Sequence, residues 1–378
     1  MKNKEGAMQE NQGTYYGDYL QLDQLLSSQK TISGNFGEGK TAHDETLFII
    51  VHQVYELWFK QMVHELNDML SIFGGDHIPE STLARALDRI ERIKKIQSLL
   101  NPQLDVMESM TPMDFLEFRD LLMPASGFQS VQFRELEIKL GLTFKRRKGV
   151  EREYFMGRLN NKDRLTLEEI EKSPSLSDLI ESWLERMPFT SNENFTFWKE
   201  YQSSVQTMLK DEESIIKKNN AGLSQKQQMI QLENLNVTKE TFEYLMDEEK
   251  YNEVLKKGKK FFSREATLNA LFILLYRDQP LLQLPYRIIT GLIDIDENFT
   301  TWRYRHALMA HRMLGTKIGT GGSSGHHYLK MAAEHNRVFT DLFDLSTFLL
   351  PRSRIPKLPK ELSDLLQFSF EEKAKKNV

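Results

Sequence analysis

Apolar residues recur at helical spacing along most of the chain, and this pattern predicts a set of α-helices. The clearest is residues 47–62, "LFIIVHQVYELWFKQM", a run too long and too continuously apolar for a strand and typical of a buried helix. Residues 83–100 alternate charged and apolar side chains, and residues 264–277 and 301–314 form two further apolar segments. Repeated strand–turn–strand patterns are absent from the sequence. The predicted fold class is therefore all-α.

Residues that begin or stop helices divide this pattern. Thr41 with Asp44 predicts a capping box just before residues 47–62. Pro112, which follows Thr111, suits the first turn of another helix. The residues that are expected to stop helices are Pro124, Gly141, Pro188 and Gly315. These boundaries add helices over residues 112–123, 129–140 and 175–187 to the prediction.

Charge is nearly balanced, which excludes some classes of partner. The sequence has 378 residues with 50 basic and 54 acidic side chains, for a net charge of -4. We therefore expect neither nucleic acid nor an anionic membrane as a partner.

The first fourteen residues carry no hydrophobic signal segment, and no uncharged apolar run approaches the ~20 residues of a membrane helix. We expect a cytoplasmic protein.

Charged residues are concentrated in the middle of the chain. "KRRKGVERE" starts at residue 145 and "LKKGKK" ends at residue 260. We interpret about 145–260 as a peripheral helical region inserted on a core that the flanking thirds form. The whole of residues 1–378 is then one domain, with flexible ends at about 1–14 and 370–378.

The nine histidines are the candidates for chemistry, because the sequence has no cysteine. This absence excludes disulfides, thiolate zinc sites, iron–sulfur clusters and thiolate-ligated or covalently attached haem. The HExxH motif is missing, and no cluster of Asp, Glu and His has the spacing of a metal cage.

Two histidines lie within apolar stripes at helical spacing. One stripe consists of Trp302, His306, Met309 and Met313. The other consists of Phe48, His52, Tyr55 and Phe59. A neutral imidazole on an apolar helix face suits an axial haem ligand. The same pattern is more often a core histidine with a hydrogen-bond partner, and spacing alone leaves both interpretations open.

Two further features suit a small polar ligand. Arg119 follows Phe115 by four residues and shares a helix face with it, so its guanidinium is suited to binding a carboxylate. The alternative, which is the more common case, is an arginine that extends from a core helix to solvent. The segment "GTGGSSG" of residues 319–325 lacks the phosphate-loop ending. Its backbone N–H groups and hydroxyls could bind such a ligand. The alternative is a plain turn between two helices.

Long segments of the chain resemble the tryptophan 2,3-dioxygenase family. They are "HDETLFIIVHQVYELWFKQ", "FLEFRDLLMPASGFQSVQFRELEIKLG", "WRYRHALMAHRMLGTKIGTGGSSGHHYL" and "VFTDLFDLSTFLLPR", and the N-terminal "YYGDYLQLDQLL" is similar as well. They run in the family's order from about Tyr15 to Arg352, so the resemblance spans nearly the whole chain.

The resemblance implies an all-α, multi-helix bundle with a role for each matched residue. His306 is expected to be the axial ligand of haem iron, and Trp302 to contact the same cofactor. His52 is expected to be the catalytic histidine that hydrogen-bonds the indole N–H of the substrate. The residues expected to bind the substrate are Phe48, Phe115, Arg119, Ser126 and Thr320, with Tyr16 and Tyr19 reaching the site of a neighbouring subunit.

The implied reaction is the insertion of O₂ across the indole C2–C3 bond of L-tryptophan, which gives N-formyl-L-kynurenine. The implied cofactor is one non-covalent haem b per subunit, and the implied assembly is a homotetramer. Arg305 replaces an asparagine that many relatives carry, and His326 replaces a common tyrosine. A broader indoleamine dioxygenase and a haem-binding sensor without catalysis remain as alternatives.

Overall fold

A computed structural model describes residues 13–36, 41–144, 146–147, 156–188, 197–218, 224–315, 317 and 325–366. Helices dominate these residues and no β-strand occurs among them, so the all-α prediction is confirmed. The helices of the first half are α1 (Tyr16–Leu20), α2 (Leu22–Leu26), α3 (Ser33–Phe36), α4 (Glu45–Phe73), α5 (Glu80–Met107), α6 (Pro112–Arg119), α7 (Val131–Leu140) and α8 (Asn161–Ile170). Those of the second half are α9 (Leu176–Glu185), α10 (Phe197–Lys218), α11 (Gln225–Met246), α12 (Glu248–Lys256), α13 (Arg264–Leu275), α14 (Pro280–Leu314), α15 (Gly325–His335), α16 (Thr340–Asp344) and α17 (Lys360–Leu366).

Three long helices form the centre: α5 packs against both α4 and α14. Gly291 lies where α14 approaches α5 most closely. A Cβ atom at this position would lie 2.5 Å from Cγ2 of Ile90, which is closer than carbon atoms can pack. The missing side chain thus allows the backbone of α14 to pack directly on α5.

The predicted helices over residues 47–62 and 301–314 are parts of longer helices. Helix α4 continues to Phe73, and α14 already begins at Pro280. The first two-thirds of α14 contain Pro285 and bury polar side chains such as Asp296 and Thr300. These residues interrupt the apolar pattern, so periodicity alone detects only the end of α14.

Helix caps agree with the sequence at α6 and differ at α4. Thr111 and Asp114 form a reciprocal capping box at the start of α6. The capping box predicted for Thr41 and Asp44 is wrong, because Asp44 precedes α4 without a side-chain capping bond. The carboxylate of the next residue, Glu45, instead accepts hydrogen bonds from the backbone N–H groups of Ile32 and Ser33, at 2.7 and 2.9 Å.

The middle region contributes both core and surface. Helix α9 packs against α13 and α4, and its Leu176, Ile180 and Leu184 are fully buried in the main core. Helices α10 and α11 pack against each other, and Tyr201 of α10 is buried in the same core. The division into one domain with a peripheral region at about 145–260 stays a prediction.

Within the described residues, no helix is both long and apolar enough to cross a membrane.

A buried ionic cluster joins α7 to α14. The carboxylate of Glu137 accepts hydrogen bonds from Arg134, Arg147 and Arg303, at 2.5, 2.7 and 2.8 Å. Burial alone would raise the pKa of Glu137, but the three guanidinium groups hold it far below its usual range. Arg303 also donates to the backbone oxygen of Asn336, at 2.7 Å, so it connects α14 to the chain after α15.

Replacing Glu137 by Gln should lower the free energy of unfolding by about 3 kcal/mol, because it leaves buried guanidinium groups without their counter-charge. Urea unfolding followed by circular dichroism measures this value. Glu135→Gln is the matched control, since Glu135 lies on the same helix and pairs only with Lys139, at 2.8 Å. We expect Glu135→Gln to lower the free energy of unfolding by less than about 1 kcal/mol. Equal losses in both variants would contradict the stabilising role of the buried cluster.

Candidate functional site

An aromatic cluster joins α4 to α6. The ring of Phe48 lies 4.2 Å from the ring of His52, 5.6 Å from Phe115 and 5.5 Å from Phe118, measured between centroids. Phe118 is fully buried and contacts Phe115 as well, at 5.5 Å. The sequence prediction missed Phe118, although its spacing of three residues from Phe115 places it on the same side of α6.

The hydrogen bond of His52 fixes which ring nitrogen carries the proton. Nδ1 lies 2.7 Å from the backbone oxygen of Phe48. Because a carbonyl oxygen can only accept, Nδ1 must donate, and the neutral ring presents the lone pair of Nε2 as an acceptor. The residue is exposed to solvent. Desolvation still lowers the pKa of His52, although the bond to Phe48 and the charge of Glu56 partly oppose this effect.

His306 is an uncharged imidazole beside His52. Desolvation, together with the proximity of His52, lowers its pKa to about 4, because two positive charges would repel each other. Trp302 stacks on His306 with the ring centroids 5.3 Å apart and the planes within 2° of parallel. Tyr55 and Phe133 pack against the other edges of Trp302, at 5.9 and 5.2 Å.

The donor set around His306 fits haem. A ring that stays neutral at physiological pH keeps a lone pair for a metal. Among the residues that the structure describes, no group of three or more His, Cys, Asp and Glu side chains could hold a metal ion. A single neutral imidazole suits an iron that brings its own ring of nitrogen ligands. Met309 and Met313 continue the same helix face, half-buried and buried respectively.

Arg119 ends α6 beside the aromatic cluster. Its side chain is only 11% exposed, and Nη1 forms an ion pair of 3.2 Å with Asp120, whose side chain is 81% exposed. Arg119 lies one helical turn after Phe115, so α6 brings a guanidinium to the edge of the phenylalanine cluster. An enclosed guanidinium next to aromatic rings is suited to binding a carboxylate.

Ser126 caps the short 3₁₀-helix Gly127–Gln129 on the segment after Arg119. Its Oγ accepts from the backbone N–H of Phe128 at 3.4 Å, and its own N–H donates to Oε1 of Gln129 at 3.1 Å. The Ser126 hydroxyl keeps a proton that it can donate elsewhere. Thr320 and the side chain of His326 lie outside the described residues.

The remaining predicted residues lie apart from the histidines. Tyr16 and Tyr19 are on α1, with 71% and 76% of their surface exposed, and α1 contains no buried residue. Arg305 does not join the cluster either. It forms an ion pair of 2.5 Å with Asp105 and a longer one of 3.8 Å with Glu108, both at the end of α5.

A separate cavity of about 510 Å³ lies between α10 and α11. Its wall contains Val205, Leu209 and Phe242, and charged residues such as Lys210 and Asp247 surround them. The cavity does not involve His52, His306 or Arg119. The neutral rings of His52 and His306 are the stronger candidates for chemistry, because their lone pairs can bind a metal or accept a hydrogen bond.

Comparison with known proteins gives relatives over the full length of the chain. The model of the tryptophan 2,3-dioxygenase family matches residues 2–349. A tryptophan 2,3-dioxygenase from Alteromonas mediterranea is 48% identical over 354 residues, which are 94% of this chain and 97% of that protein. One from Bdellovibrio bacteriovorus is 48% identical, covering 94% of this chain and 98% of that protein. One from Dictyostelium discoideum is 43% identical, covering 96% and 90%.

Proposed function

Because the chain belongs to the tryptophan 2,3-dioxygenase family, we propose roles in this reaction for the residues around His52 and His306. The chain is a haem-dependent enzyme that oxidises L-tryptophan with O₂ to N-formyl-L-kynurenine, the first step of tryptophan catabolism by the kynurenine pathway. The observation that carries the proposed roles is the pair of neutral imidazoles, one backed by Trp302 and the other presenting a free Nε2.

His306 would hold the iron of the haem. Its low pKa keeps the ring unprotonated, and the stacked Trp302 restricts its orientation. The bound haem supplies the activation of O₂. We propose haem b, one per subunit and non-covalent, since the sequence has no cysteine for a thioether bond.

His52 would orient the substrate. Its Nε2 can accept the indole N–H, because Nδ1 already donates to the backbone oxygen of Phe48. The indole N–H is too weak an acid for imidazole to remove it outright, so His52 serves as a hydrogen-bond partner. Phe48 and Phe115 offer apolar walls for the flat indole ring.

Arg119 would bind the carboxylate of the amino acid by charge-assisted hydrogen bonds. Its enclosed position strengthens this interaction, while Asp120 keeps one edge of the guanidinium paired on the solvent side. Ser126 and Thr320 are proposed as further polar contacts, with the hydroxyl proton of Ser126 still free to donate.

We further propose a homotetramer in the cytoplasm. Helices α1 and α2 contain no buried residue, so their apolar side chains have no core of their own. Tyr16 and Tyr19 are largely exposed, and a second copy of the chain would bury them. Glu45 fixes the chain just after these helices, at Ile32 and Ser33.

His306→Ala should remove haem binding, because no other ligand then holds the iron. The purified protein, expressed with haem supplied, should lose its Soret band and form no N-formylkynurenine from L-tryptophan in air. Added imidazole should restore part of the band. His311→Ala is the control, since His311 lies on the same helix and is exposed. Full haem content and activity in His306→Ala would refute the assignment.

The activity should decrease at low pH through the protonation of His52. Burial places the pKa of His52 below its ordinary 6.5, and the protonated ring can no longer accept at Nε2. The acid limb of kcat/KM for L-tryptophan should therefore have its midpoint below 6.5. His52→Ala should keep haem, act roughly tenfold more slowly and lack this limb. If the limb persists in His52→Ala, another group titrates.

Arg119 should make the enzyme selective for a free amino acid. Tryptamine lacks the carboxylate, so it cannot form the charge-assisted hydrogen bonds with the Arg119 guanidinium. We expect kcat/KM for L-tryptophan to exceed that for tryptamine on the order of a hundredfold. Arg119→Met should bring the ratio close to one by slowing L-tryptophan alone. Equal turnover of both compounds by the unmodified enzyme would exclude this role.

A further inference from the structure

Glu56 joins the helix of His52 to the first turn of α7. Its Oε1 accepts from the hydroxyl of Ser130 at 2.6 Å, and its Oε2 accepts from Nε2 of Gln132 at 2.9 Å. The same Nε2 also donates to the backbone oxygen of Glu56, at 3.0 Å. Three hydrogen bonds therefore hold one turn of α4 against the start of α7, which is more than 70 residues away in the chain.

This junction lies at the end of the segment that carries the proposed substrate contacts. The segment starts at Arg119, passes through Ser126 and ends at Ser130, which begins α7 as its N-cap. Glu56 itself lies one helical turn after His52 on α4. The position of the segment relative to His52 thus depends on how firmly α4 and the start of α7 are joined.

We propose that Glu56 is a positioning residue for the substrate pocket, holding the segment from Arg119 to Ser130 beside His52. The inference rests on the proposed function, because the pocket roles of Arg119 and His52 belong to it. The later turns of α7 are held separately, since Glu137 is bound to Arg303 of α14. Loss of Glu56 therefore releases Ser130 and Gln132 at the start of α7, while the later turns of α7 stay bound to α14.

Two substitutions separate the geometry from the charge. Glu56→Gln removes the charge but keeps the shape: its amide oxygen can accept from Gln132, and its NH₂ can donate to the Ser130 hydroxyl. Glu56→Ala removes both the charge and the hydrogen bonds. If Glu56 acts by holding the start of α7 in place, Glu56→Gln retains substrate binding and Glu56→Ala does not.

Equilibrium dialysis of L-tryptophan against the haem-loaded ferric protein measures binding, and steady-state kinetics measures kcat and KM. Glu56→Ala should raise the dissociation constant and KM about tenfold, with kcat within about twofold. Glu56→Gln should stay within about twofold of the unmodified enzyme in all three. Glu135→Ala is the control on α7, because its carboxylate pairs with Lys139 and not with α4.

The partner of Glu56 provides a second test, which also applies if Glu56→Ala fails to fold. Gln132→Ala should raise the dissociation constant in the same direction. The double variant Glu56→Ala, Gln132→Ala should bind L-tryptophan little worse than Glu56→Ala alone, because both act through one junction. The proposal would be overturned if the increase in the dissociation constant of the double variant equalled the product of the two single increases.

Two other results would also overturn it. One is an unchanged dissociation constant in Glu56→Ala. The other is an equal loss in Glu56→Gln and Glu56→Ala, which would assign the effect to the charge near His52. Failure of the proposed function looks different, because the unmodified enzyme itself would then neither bind L-tryptophan nor form product.

Discussion

The carboxylate of Glu137 is buried among three guanidinium groups, and the position of α14 depends on it. One of the three, Arg303, precedes His306 by less than one helical turn. The same guanidinium binds the backbone oxygen of Asn336, so the chain after α15 is fixed to the same point. Burying four charges costs much desolvation energy. The gain is that α14 cannot slide or rotate against α7 without breaking hydrogen bonds that have no replacement in the core.

The two proposed histidines are then placed by two different mechanisms. Ring contacts orient His306: Trp302 stacks on it, and Phe133 of α7 packs against Trp302. A hydrogen bond within α4 orients His52, because its Nδ1 donates to the backbone carbonyl of Phe48, one turn earlier. Both environments disfavour the protonated ring. The roles proposed for the two residues, a metal ligand for His306 and a hydrogen-bond acceptor for His52, both require such a neutral ring.

Much of this was predictable from local patterns. The apolar run at residues 47–62 predicted the central part of α4, and Thr111 with Pro112 predicted the start of α6, because these signals act within one or two helical turns. The stripes around His52 and His306 were visible for the same reason. Phe118 was missed because its burial depends on its contact with Phe48 of α4, which spacing along α6 does not reveal. The long first part of α14 was missed because Pro285 interrupts the pattern and because the carboxylate of Asp296 is buried against the distant backbone N–H of Phe339.

The sequence by itself determined the all-α class, the starts or ends of several helices such as α6, α7 and α9 and, through long family segments, the reaction. Only the tertiary structure decided which charges are buried together and which helix Glu56 holds. The physical reason is distance along the chain. Helical periodicity and capping are interactions between neighbours, whereas Glu137 with Arg303, and Glu56 with Gln132, are pairs that only the packed fold brings within hydrogen-bonding distance.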